Sequence, residues 1–393
     1  MPGLRVLQVI PSVSSKDGGP SRAIGTIERA LTKVGASVTT LTTDADGPGS
    51  RLSDDRRPGK ANGADRIYKR KWIDFYKIAP GVVPWLWRNV RRFDVVHVHA
   101  LFSFTSVAAA TISALRGVPF IIRPLGTLAD FGLRQRRPRL KAMSLALIEG
   151  PLLRRAAFVH CTSRAELEEI NNLGIPLRGG VIPLGVEAPA RPRQRPCRRR
   201  ATPDSGPPVL LFLSRIDPKK NLEGLLRALA SVAQTRPDLI LNIAGDGPAD
   251  HVASMRALAA NLSISDRVRW LGHLEDEAKT AAFEAADIFV LPSFSENFGI
   301  AAVEAMLAGL PCILGREVAI AEEAKRQGAC VTVEPRPESI AAALVQLLDD
   351  FQGRRRMGDE ARAWAEREYC CDAAATRLME IYSTLGPRMS SPG

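Results

Sequence analysis

Short apolar runs alternate with helix-like patterns along both halves of the chain, and this alternation restricts the possible folds most strongly. Strands alternating with helices are typical of parallel, doubly wound α/β sheets. The sequence therefore predicts an α/β protein with two such sheets. The apolar runs predict strands at residues 4–10, 37–42, 94–98, 119–122, 157–161, 209–213, 239–244, 267–271, 287–291, 311–314 and 329–333.

A chain of 393 residues is longer than one hydrophobic core usually serves, so two domains are expected. The Pro/Arg-rich stretch 188–208 has no periodicity and is typical of a linker. It would separate a first domain, 1–187, from a second, 209–371. Residues 372–393 begin with an amphipathic helical pattern, and the Gly-, Arg- and Asp-rich section 46–65 predicts a long loop.

The composition is that of a soluble globular protein, with 45% hydrophobic and 24% charged residues. We find no run of about 18 apolar residues, so no membrane-spanning helix is expected. The chain begins directly with a predicted strand and not with a signal-peptide pattern, which predicts a cytoplasmic protein. The six cysteines form no C-x-x-C pair and have no zinc spacing, so no metal site is expected.

Charge is distributed unevenly along the chain. Residues 1–200 hold 34 Lys/Arg and 15 Asp/Glu, a net +19, and residues 201–393 hold 20 and 27, a net −7. A basic half predicts an anionic partner, such as a membrane surface, a diphosphate lipid or a nucleic acid. The sequence has no nucleic-acid-binding motif, so nucleic acid is not expected.

Two segments of the basic half, 69–92 and 134–155, combine basic residues with large apolar ones. Such a combination is typical of proteins that bind an anionic membrane, with Arg88, Arg91 and Arg92 as the expected docking residues. The alternative is that the tryptophans belong to the core and the arginines form a solvated face.

Two acids, Glu296 and Glu304, lie eight positions apart after the predicted strand 287–291. The loop between strand and helix lies at the carboxyl end of a strand, where α/β sheets bind ligands. The amides of Phe298, Gly299 and Ile300 would open the helix and face an anion. The same two acids would also suit a capped amphipathic helix whose carboxylates face solvent.

Two cations, Arg215 and Lys220, follow the first strand of the second domain, and their charges suit a diphosphate. Gly245 and Gly247 follow the next strand in a Gly-x-Gly-Pro turn, which suits either a ligand contact or a tight turn. In the first domain, the paired glycines Gly18 and Gly19 would let backbone amides approach a phosphate.

This series of motifs resembles the retaining glycosyltransferases of family 4, whose signature is E-x7-E. The resemblance covers nearly the whole chain and implies the GT-B fold. In this fold, two Rossmann-like domains face a central cleft, and the C-terminal helix crosses back to the first domain.

The resemblance also implies a role for each motif residue. Glu296 would contact the transferred sugar and Glu304 the ribose hydroxyls, while Arg215 and Lys220 would stabilise the leaving diphosphate. His99 follows His97 in an element that resembles the family's D-V-V-H-x-H near the interdomain cleft, so His99 would line the catalytic site. The donor-binding residues would be Gly18, Gly19, Gly245, Gly247, Asn297, Phe298, Gly299, Ile300 and Glu304.

The chain departs from the family pattern at three positions. Ser214 and Asn221 replace two common glycines beside Arg215 and Lys220. Leu125 occupies the place where many relatives carry a His or Arg that meets the donor sugar. Arg123, two residues earlier, could substitute for that contact.

The sequence therefore predicts a retaining, metal-independent enzyme that needs no cofactor. It would transfer a hexose from a nucleotide-diphospho-sugar to a saccharide or lipid-linked saccharide, in bacterial surface polysaccharide synthesis. It would be a peripheral protein on the inner face of the cell membrane. The alternatives are a sugar-nucleotide 2-epimerase of the same fold and a non-catalytic protein that binds nucleotide sugars or membranes.

Overall fold

The computed structural model describes residues 3–14, 19–47, 49–128, 138–187 and 206–386. The chain divides into two compact units, Met1–Gly185 with Cys371–Gly393, and Val186–Cys370. The predicted boundaries at 187 and 371 lie within two residues of these limits. Residues 188–205 of the predicted linker, and Gly18 of the predicted phosphate loop, lie outside the described residues.

The first unit is built on an eight-stranded sheet with the order β3-β4-β2-β1-β5-β6-β7-β8. All neighbouring strands are parallel except β3 and β4. The strands are β1 Arg5–Val9, β2 Ser37–Thr43, β3 Lys60–Ala61, β4 Ala64–Lys69, β5 Val95–His99, β6 Phe120–Arg123, β7 Phe158–Cys161 and β8 Gly179–Val181. The helices are α1 Gly19–Lys33, α2 Val82–Asn89, α3 Phe104–Arg116, α4 Pro138–Ser144, α5 Gly150–Arg155 and α6 Arg164–Asn172, with a π-helix at Leu145–Glu149.

The second unit is built on a six-stranded, wholly parallel sheet with the order β11-β10-β9-β12-β13-β14. The strands are β9 Val209–Leu213, β10 Ile240–Ala244, β11 Val268–Gly272, β12 Ile288–Leu291, β13 Cys312–Gly315 and β14 Cys330–Val333. The helices are α7 Leu222–Ala233, α8 Ala249–Asn261, α9 Asp276–Ala285, α10 Ile300–Leu307, α11 Ala321–Arg326, α12 Pro337–Asp349 and α13 Phe351–Tyr369. The central strands β9 and β12 are almost wholly apolar and buried, as expected where helices cover both faces of a sheet.

The C-terminal helix α14, Cys371–Leu385, belongs to the first unit, as expected. Its buried face, which includes Leu378 and Tyr382, packs in one core cluster with Val6 of β1 and Leu31 of α1. An exposed ion pair joins Lys33 to Asp372 at 2.6 Å. The amphipathic pattern of the sequence therefore corresponds to a helix that covers one face of the first sheet.

All eleven predicted strands are confirmed, with each end within one residue of its predicted position. The prediction of one long loop over 46–65 was wrong, because a β-hairpin lies there. Its strands β3 and β4 are antiparallel and are joined by Asn62 and Gly63, which have φ values of 54° and 79°. Two successive residues with positive φ form the turn that Asn-Gly favours between paired strands. The edge strand β8 was also missed.

Candidate active site

The loop that carries Glu296 follows β12 and is tied by its backbone to two other loops. The Phe294 amide donates to the Lys219 carbonyl at 2.9 Å, and the Glu296 amide donates to the Glu317 carbonyl at 3.0 Å. The Ala319 amide donates to the Glu296 carbonyl at 2.9 Å. The backbone of Glu296 is therefore fixed from both sides, which limits the positions that its carboxylate can take.

Gly299 makes the turn from this loop into α10. It has φ +91°, and a Cβ at this position would lie 3.0 Å from Cγ1 of Val318, so glycine is favoured on two grounds. The Ala302 and Val303 amides donate to its carbonyl at 2.9 and 3.1 Å. The amides of Gly299, Ile300 and Ala301 precede this hydrogen-bond ladder, at the position where a helix leaves donors without an intrahelical partner.

The two side chains before Gly299 differ in their surroundings. Asn297 is exposed, whereas Phe298 is buried and packs edge-on against Tyr369, with ring centroids 5.5 Å apart. The Phe298 side chain therefore belongs to the core, and only its backbone can meet a ligand.

Lys220 and Glu296 are brought together although they lie 76 positions apart. The Lys220 ammonium forms an ion pair with Oε2 of Glu296, and the two side chains are largely buried. Burial lowers the pKa of Lys220 to about 8, and the neighbouring charges of Lys219 and Arg215 act in the same direction. Arg215 is exposed on the same loop. The loop after β9 thus brings the Lys220 ammonium to the carboxylate of Glu296 and holds the exposed Arg215 close enough to affect the pKa of Lys220.

Asn221 replaces a common glycine of the family pattern and adopts a backbone conformation that glycine favours. It has φ 57° and ψ 41°, a left-handed conformation that Asn tolerates better than most residues. Its side chain caps α7 by accepting from the Gly224 amide at 3.1 Å and donates to the carbonyls of Pro292 and Pro335. Asn221 therefore fixes the end of the Lys220 turn against the loop that begins at Pro292.

Glu304 lies on α10 and forms an ion pair with Lys279 of α9. The side chains are 20% exposed for Lys279 and 15% for Glu304, so both are shielded from water. Lys279 was not among the predicted site residues. A helix that precedes a buried strand carries no local signal that one of its lysines faces an acid 25 positions later.

Gly245 and Gly247 have a structural reason to be glycine. A Cβ on Gly245 would lie 1.8 Å from the Ser214 carbonyl oxygen, and one on Gly247 would lie 2.0 Å from that of Ile216. The Ile216 amide also donates to the Asp246 carbonyl at 2.8 Å. These glycines let the loop after β10 pack directly on the loop that carries Arg215.

In the first unit, a chain of hydrogen bonds joins His99, Gln8, Tyr382, His97 and His160. Nε2 of His99 lies 2.5 Å from Oε1 of Gln8, whose amide donates to the Tyr382 hydroxyl at 3.3 Å. That hydroxyl lies 2.6 Å from Nδ1 of His97, and Nε2 of His97 lies 3.3 Å from Nδ1 of His160. Burial holds the pKa of His97 and His99 well below 6.5 and lowers that of His160 to about 3, so the imidazoles are neutral.

Arg123 lies against His99, with Nη1 3.4 Å from Nδ1 of the imidazole. Its side chain is 1% exposed, and burial lowers its pKa to about 10. Within the described part of the chain, its Nε and Nη2 atoms have no hydrogen-bond partner. The structure thus brings His99 and Arg123 together, but both lie below the surface.

The loops that cover this pair contain residues in unfavourable backbone conformations. Ala100 and Phe102 follow β5 with φ values of 67° and 53°, and Leu125 follows β6 with φ 59°. Such conformations cost about 1–3 kcal/mol each and occur preferentially at functional sites.

Gly19 is the first residue of α1. Gly18 lies outside the described residues, so the phosphate loop predicted from this glycine pair has no structural account.

Comparisons with known proteins agree with this arrangement of motifs. A family described as "Glycosyl transferases group 1" matches residues 194–364, and one described as "Glycosyl transferase 4-like domain" matches residues 18–185. The D-inositol 3-phosphate glycosyltransferase of Corynebacterium efficiens is 27% identical over 81% of this chain and 71% of that protein. The 2-deoxystreptamine glucosyltransferase of Streptomyces kanamyceticus is 29% identical over 71% of this chain and 73% of that protein.

A third relative acts on a lipid. The GDP-mannose-dependent monoacylated alpha-(1-6)-phosphatidylinositol monomannoside mannosyltransferase of Corynebacterium glutamicum is 30% identical over 51% of this chain and 55% of that protein.

Solved structures show the same fold. HepE of Anabaena in complex with UDP has a TM-score of 0.75 at 20% identity, over 97% of this chain and all of that one. Sucrose-phosphate synthase of Thermosynechococcus elongatus has a TM-score of 0.74 at 19% identity, over 97% of this chain and 99% of that one. The two family matches, these relatives and this fold establish that the chain belongs to family 4 of the glycosyltransferases, which have the GT-B fold.

Proposed function

We propose that this glycosyltransferase transfers a hexose from a nucleotide-diphospho-sugar with retention of configuration and without a metal ion. The proposal rests on two ion pairs in the second unit. Each acid of the E-x7-E signature is largely buried and is held by a lysine from another element, Glu296 by Lys220 and Glu304 by Lys279. Acids that merely faced solvent would not be shielded in this way.

The donor would bind along the loop and the first turns of α10. Glu304 would accept hydrogen bonds from the ribose hydroxyls, and Glu296 would meet hydroxyls of the sugar. The amides that precede the ladder of α10 would meet the diphosphate, because a helix N-terminus favours an anion. Arg215 and Lys220 would then neutralise the charge that grows on the diphosphate as its bond to the sugar breaks.

The resemblance to the family supports a transfer on one face of the sugar. The bond from the anomeric carbon to the diphosphate oxygen breaks, and the acceptor oxygen forms a bond to the same carbon from the same side. The proton of the acceptor hydroxyl passes to the departing diphosphate, which acts as the base. Arg215 and Lys220 would supply the charge stabilisation that a divalent ion supplies in other transferases.

The acceptor would be a saccharide or a lipid-linked saccharide in bacterial surface polysaccharide synthesis. The net charge of +19 over residues 1–200 supports an anionic acceptor or surface. The relative that acts on a phosphatidylinositol monomannoside supports a lipid-linked acceptor. No helix in the described part of the chain combines the length and the apolar character needed to cross a bilayer. We place the protein at the inner face of the cell membrane, as a peripheral protein.

The test begins with a thermal-shift screen of UDP- and GDP-sugars, because a ligand of the native state raises the melting temperature according to its affinity. The stabilising donor is then incubated with saccharide acceptors, and the anomeric configuration of the product is read by NMR. Retention is expected, with nucleoside diphosphate released only when acceptor is present. An inverted product, or a donor epimerised at C2 without acceptor, would contradict the proposal.

A further inference from the structure

Large apolar side chains are exposed on two segments of the first unit. Residues 72–75 expose Trp72, Ile73 and Phe75, and Trp72 is 70% exposed. The helical segment 138–149 exposes Leu140, Met143, Leu147 and Ile148, and Leu147 is 71% exposed. Single exposed apolar residues are common on protein surfaces, but a concentration of seven indicates an interaction site.

The two segments are joined by a partly buried cluster of polar side chains. The Tyr76 hydroxyl donates to the Glu149 carboxylate and lies 3.2 Å from the Ser144 hydroxyl, which donates to Glu149 at 2.8 Å. Glu149 is fully buried at the end of the π-helix, and Tyr76 has φ 57°. Irregular backbone on both sides is thus held in place by shared hydrogen bonds. We call the seven apolar residues of these segments the docking surface.

A basic cavity adjoins the docking surface. It has a volume of about 590 Å³, and Trp72 and Ile73 line it together with Arg51 and Arg70. Lys71 also lines the cavity, but its ammonium already has partners within the protein. It donates to the carbonyls of Gly47 and Ser50 and pairs with Asp74. Arg51 and Arg70 are exposed, and guanidinium groups bind phosphate oxygens in a bidentate manner.

We propose that the docking surface and this cavity bind an anionic phospholipid membrane, with apolar side chains among the acyl chains and Arg51 and Arg70 on lipid phosphates. Aromatic and aliphatic side chains beside arginines suit the boundary between headgroups and acyl chains. This inference rests on the proposed function, because membrane docking of the first unit would bring the enzyme to a lipid-linked acceptor.

The docking surface lies on other segments than Arg88, Arg91 and Arg92, the docking residues expected from the sequence, which are also exposed. The Arg91 side chain donates to the Arg116 carbonyl at 3.3 Å, and the Arg116 guanidinium lies 4.8 Å from the Trp87 ring centroid. Arg91 and Arg116 are therefore engaged in contacts at the C-terminal end of α3. The opposite end of α3 adjoins Phe102, whose ring lies 6.0 Å from the ammonium of Lys141 on α4. The residues 134–137 that contributed to the earlier expectation lie outside the described residues.

Leu115 offers a matched control for the apolar residues. It is 67% exposed in the same unit, but it lies eleven residues along α3 from Phe104, about 16 Å by the rise of a helix. Leu115→Ser therefore removes an equally exposed leucine from the end of α3 where the Arg91 and Arg116 cluster lies.

The experiment measures co-sedimentation of the full-length protein with phosphatidylcholine vesicles that contain about one-third phosphatidylglycerol. We expect Trp72→Ser and Leu147→Ser each to weaken binding about tenfold, since each removes an inserted apolar side chain. The double variant Arg51→Glu, Arg70→Glu should bind these vesicles at least tenfold more weakly than the wild type. Added salt should also weaken binding of the wild type, because it screens the charges. Leu115→Ser and the triple Arg88→Glu, Arg91→Glu, Arg92→Glu variant should bind like the wild type.

Donor binding separates this inference from the proposed function. The thermal shift caused by the stabilising nucleotide sugar, measured without vesicles, should be the same in all these variants and also shows that each is folded. Wild-type binding by the Trp72 and Leu147 variants would overturn the docking surface, as would loss of binding in the Leu115 or triple variant alone. A concentration-dependent dimer that these substitutions abolish would assign the surface to a second copy. Binding of inorganic phosphate without vesicle binding would assign the cavity to a soluble ligand.

Discussion

The ammonium group of Lys279 contacts Oε1 of Glu304 across two helices of the second unit, and both groups are largely shielded from water. A carboxylate held in this way keeps a fixed direction, which suits an acceptor of two ribose hydroxyls. The pairing thus links a residue that the sequence pattern indicated to one that it did not.

We expect Glu304→Ala to raise the donor KM by roughly 10- to 100-fold with little change in kcat. The reason is that a hydrogen bond to a charged group contributes about 1.5–3 kcal/mol. Initial rates at varied donor concentration measure this, with Glu360→Ala on the exposed side of α13 as the control. An unchanged KM would remove Glu304 from the donor site. Lys279→Met should raise KM by a smaller factor, since the carboxylate remains.

Lys220→Ala should lower kcat/KM by about a hundredfold or more, the scale of losing one transition-state donor. Glu296→Ala should instead lower kcat with a smaller effect on KM. Lys325→Ala, which removes an exposed lysine from α11 of the same unit, is the control. Equal losses in the Lys325 and Lys220 variants would contradict a specific role for Lys220.

The activity should fall as the pH rises through about 8. Burial lowers the pKa of Lys220 to about 8, and only its protonated form can neutralise the departing diphosphate. Raising the pH through this value removes the charge, so kcat/KM should decrease on the alkaline side. A profile of kcat/KM against pH measures the effect, and Lys220→Arg should move the decrease to higher pH because arginine stays charged. A wild-type profile that is flat to pH 9 would contradict the assignment.

Chelation should leave the rate unchanged, because Arg215 and Lys220 are proposed to supply the charge that a divalent ion would otherwise provide. The measurement is the transfer rate after treatment with EDTA and removal of the chelate. Loss of activity that Mg²⁺ or Mn²⁺ restores would overturn the metal-free mechanism.

Tyr382→Phe should destabilise the first unit by about 1–3 kcal/mol, since it leaves buried polar groups of His97 and Gln8 without a partner. Thermal unfolding should show a decrease of several degrees in the melting temperature. Ser383→Ala, which removes an exposed hydroxyl from the same helix, should leave it nearly unchanged. Equal melting temperatures for wild type and Tyr382→Phe would show that the hydrogen-bond chain contributes no net stability.

Local sequence signals account for most of the fold. Buried strands of a parallel sheet are nearly continuous apolar runs, so each of the eleven expected strands had a visible signal. The missed hairpin at β3 and β4 had one as well, because Asn62-Gly63 is a strong turn signal between strands. It was overlooked because the flanking residues are polar and lie at a sheet edge, where the alternation of apolar residues is weak. The three-residue strand β8 is too short to show a period.

The sequence by itself determined the two parallel sheets, the helix that returns to the first unit and the loops where Arg215, Lys220, Glu296 and Glu304 lie, because strand ends and helix starts are encoded locally. Only the tertiary structure decided which side chains meet: Lys220 with Glu296, Lys279 with Glu304, and the buried Arg123 with His99. Strand order and loop packing bring these partners together from 24 to 76 positions apart. Burial of these polar side chains, which lowers the pKa of Lys220, His99 and Arg123, depends on the same long-range packing and has no local sequence signal.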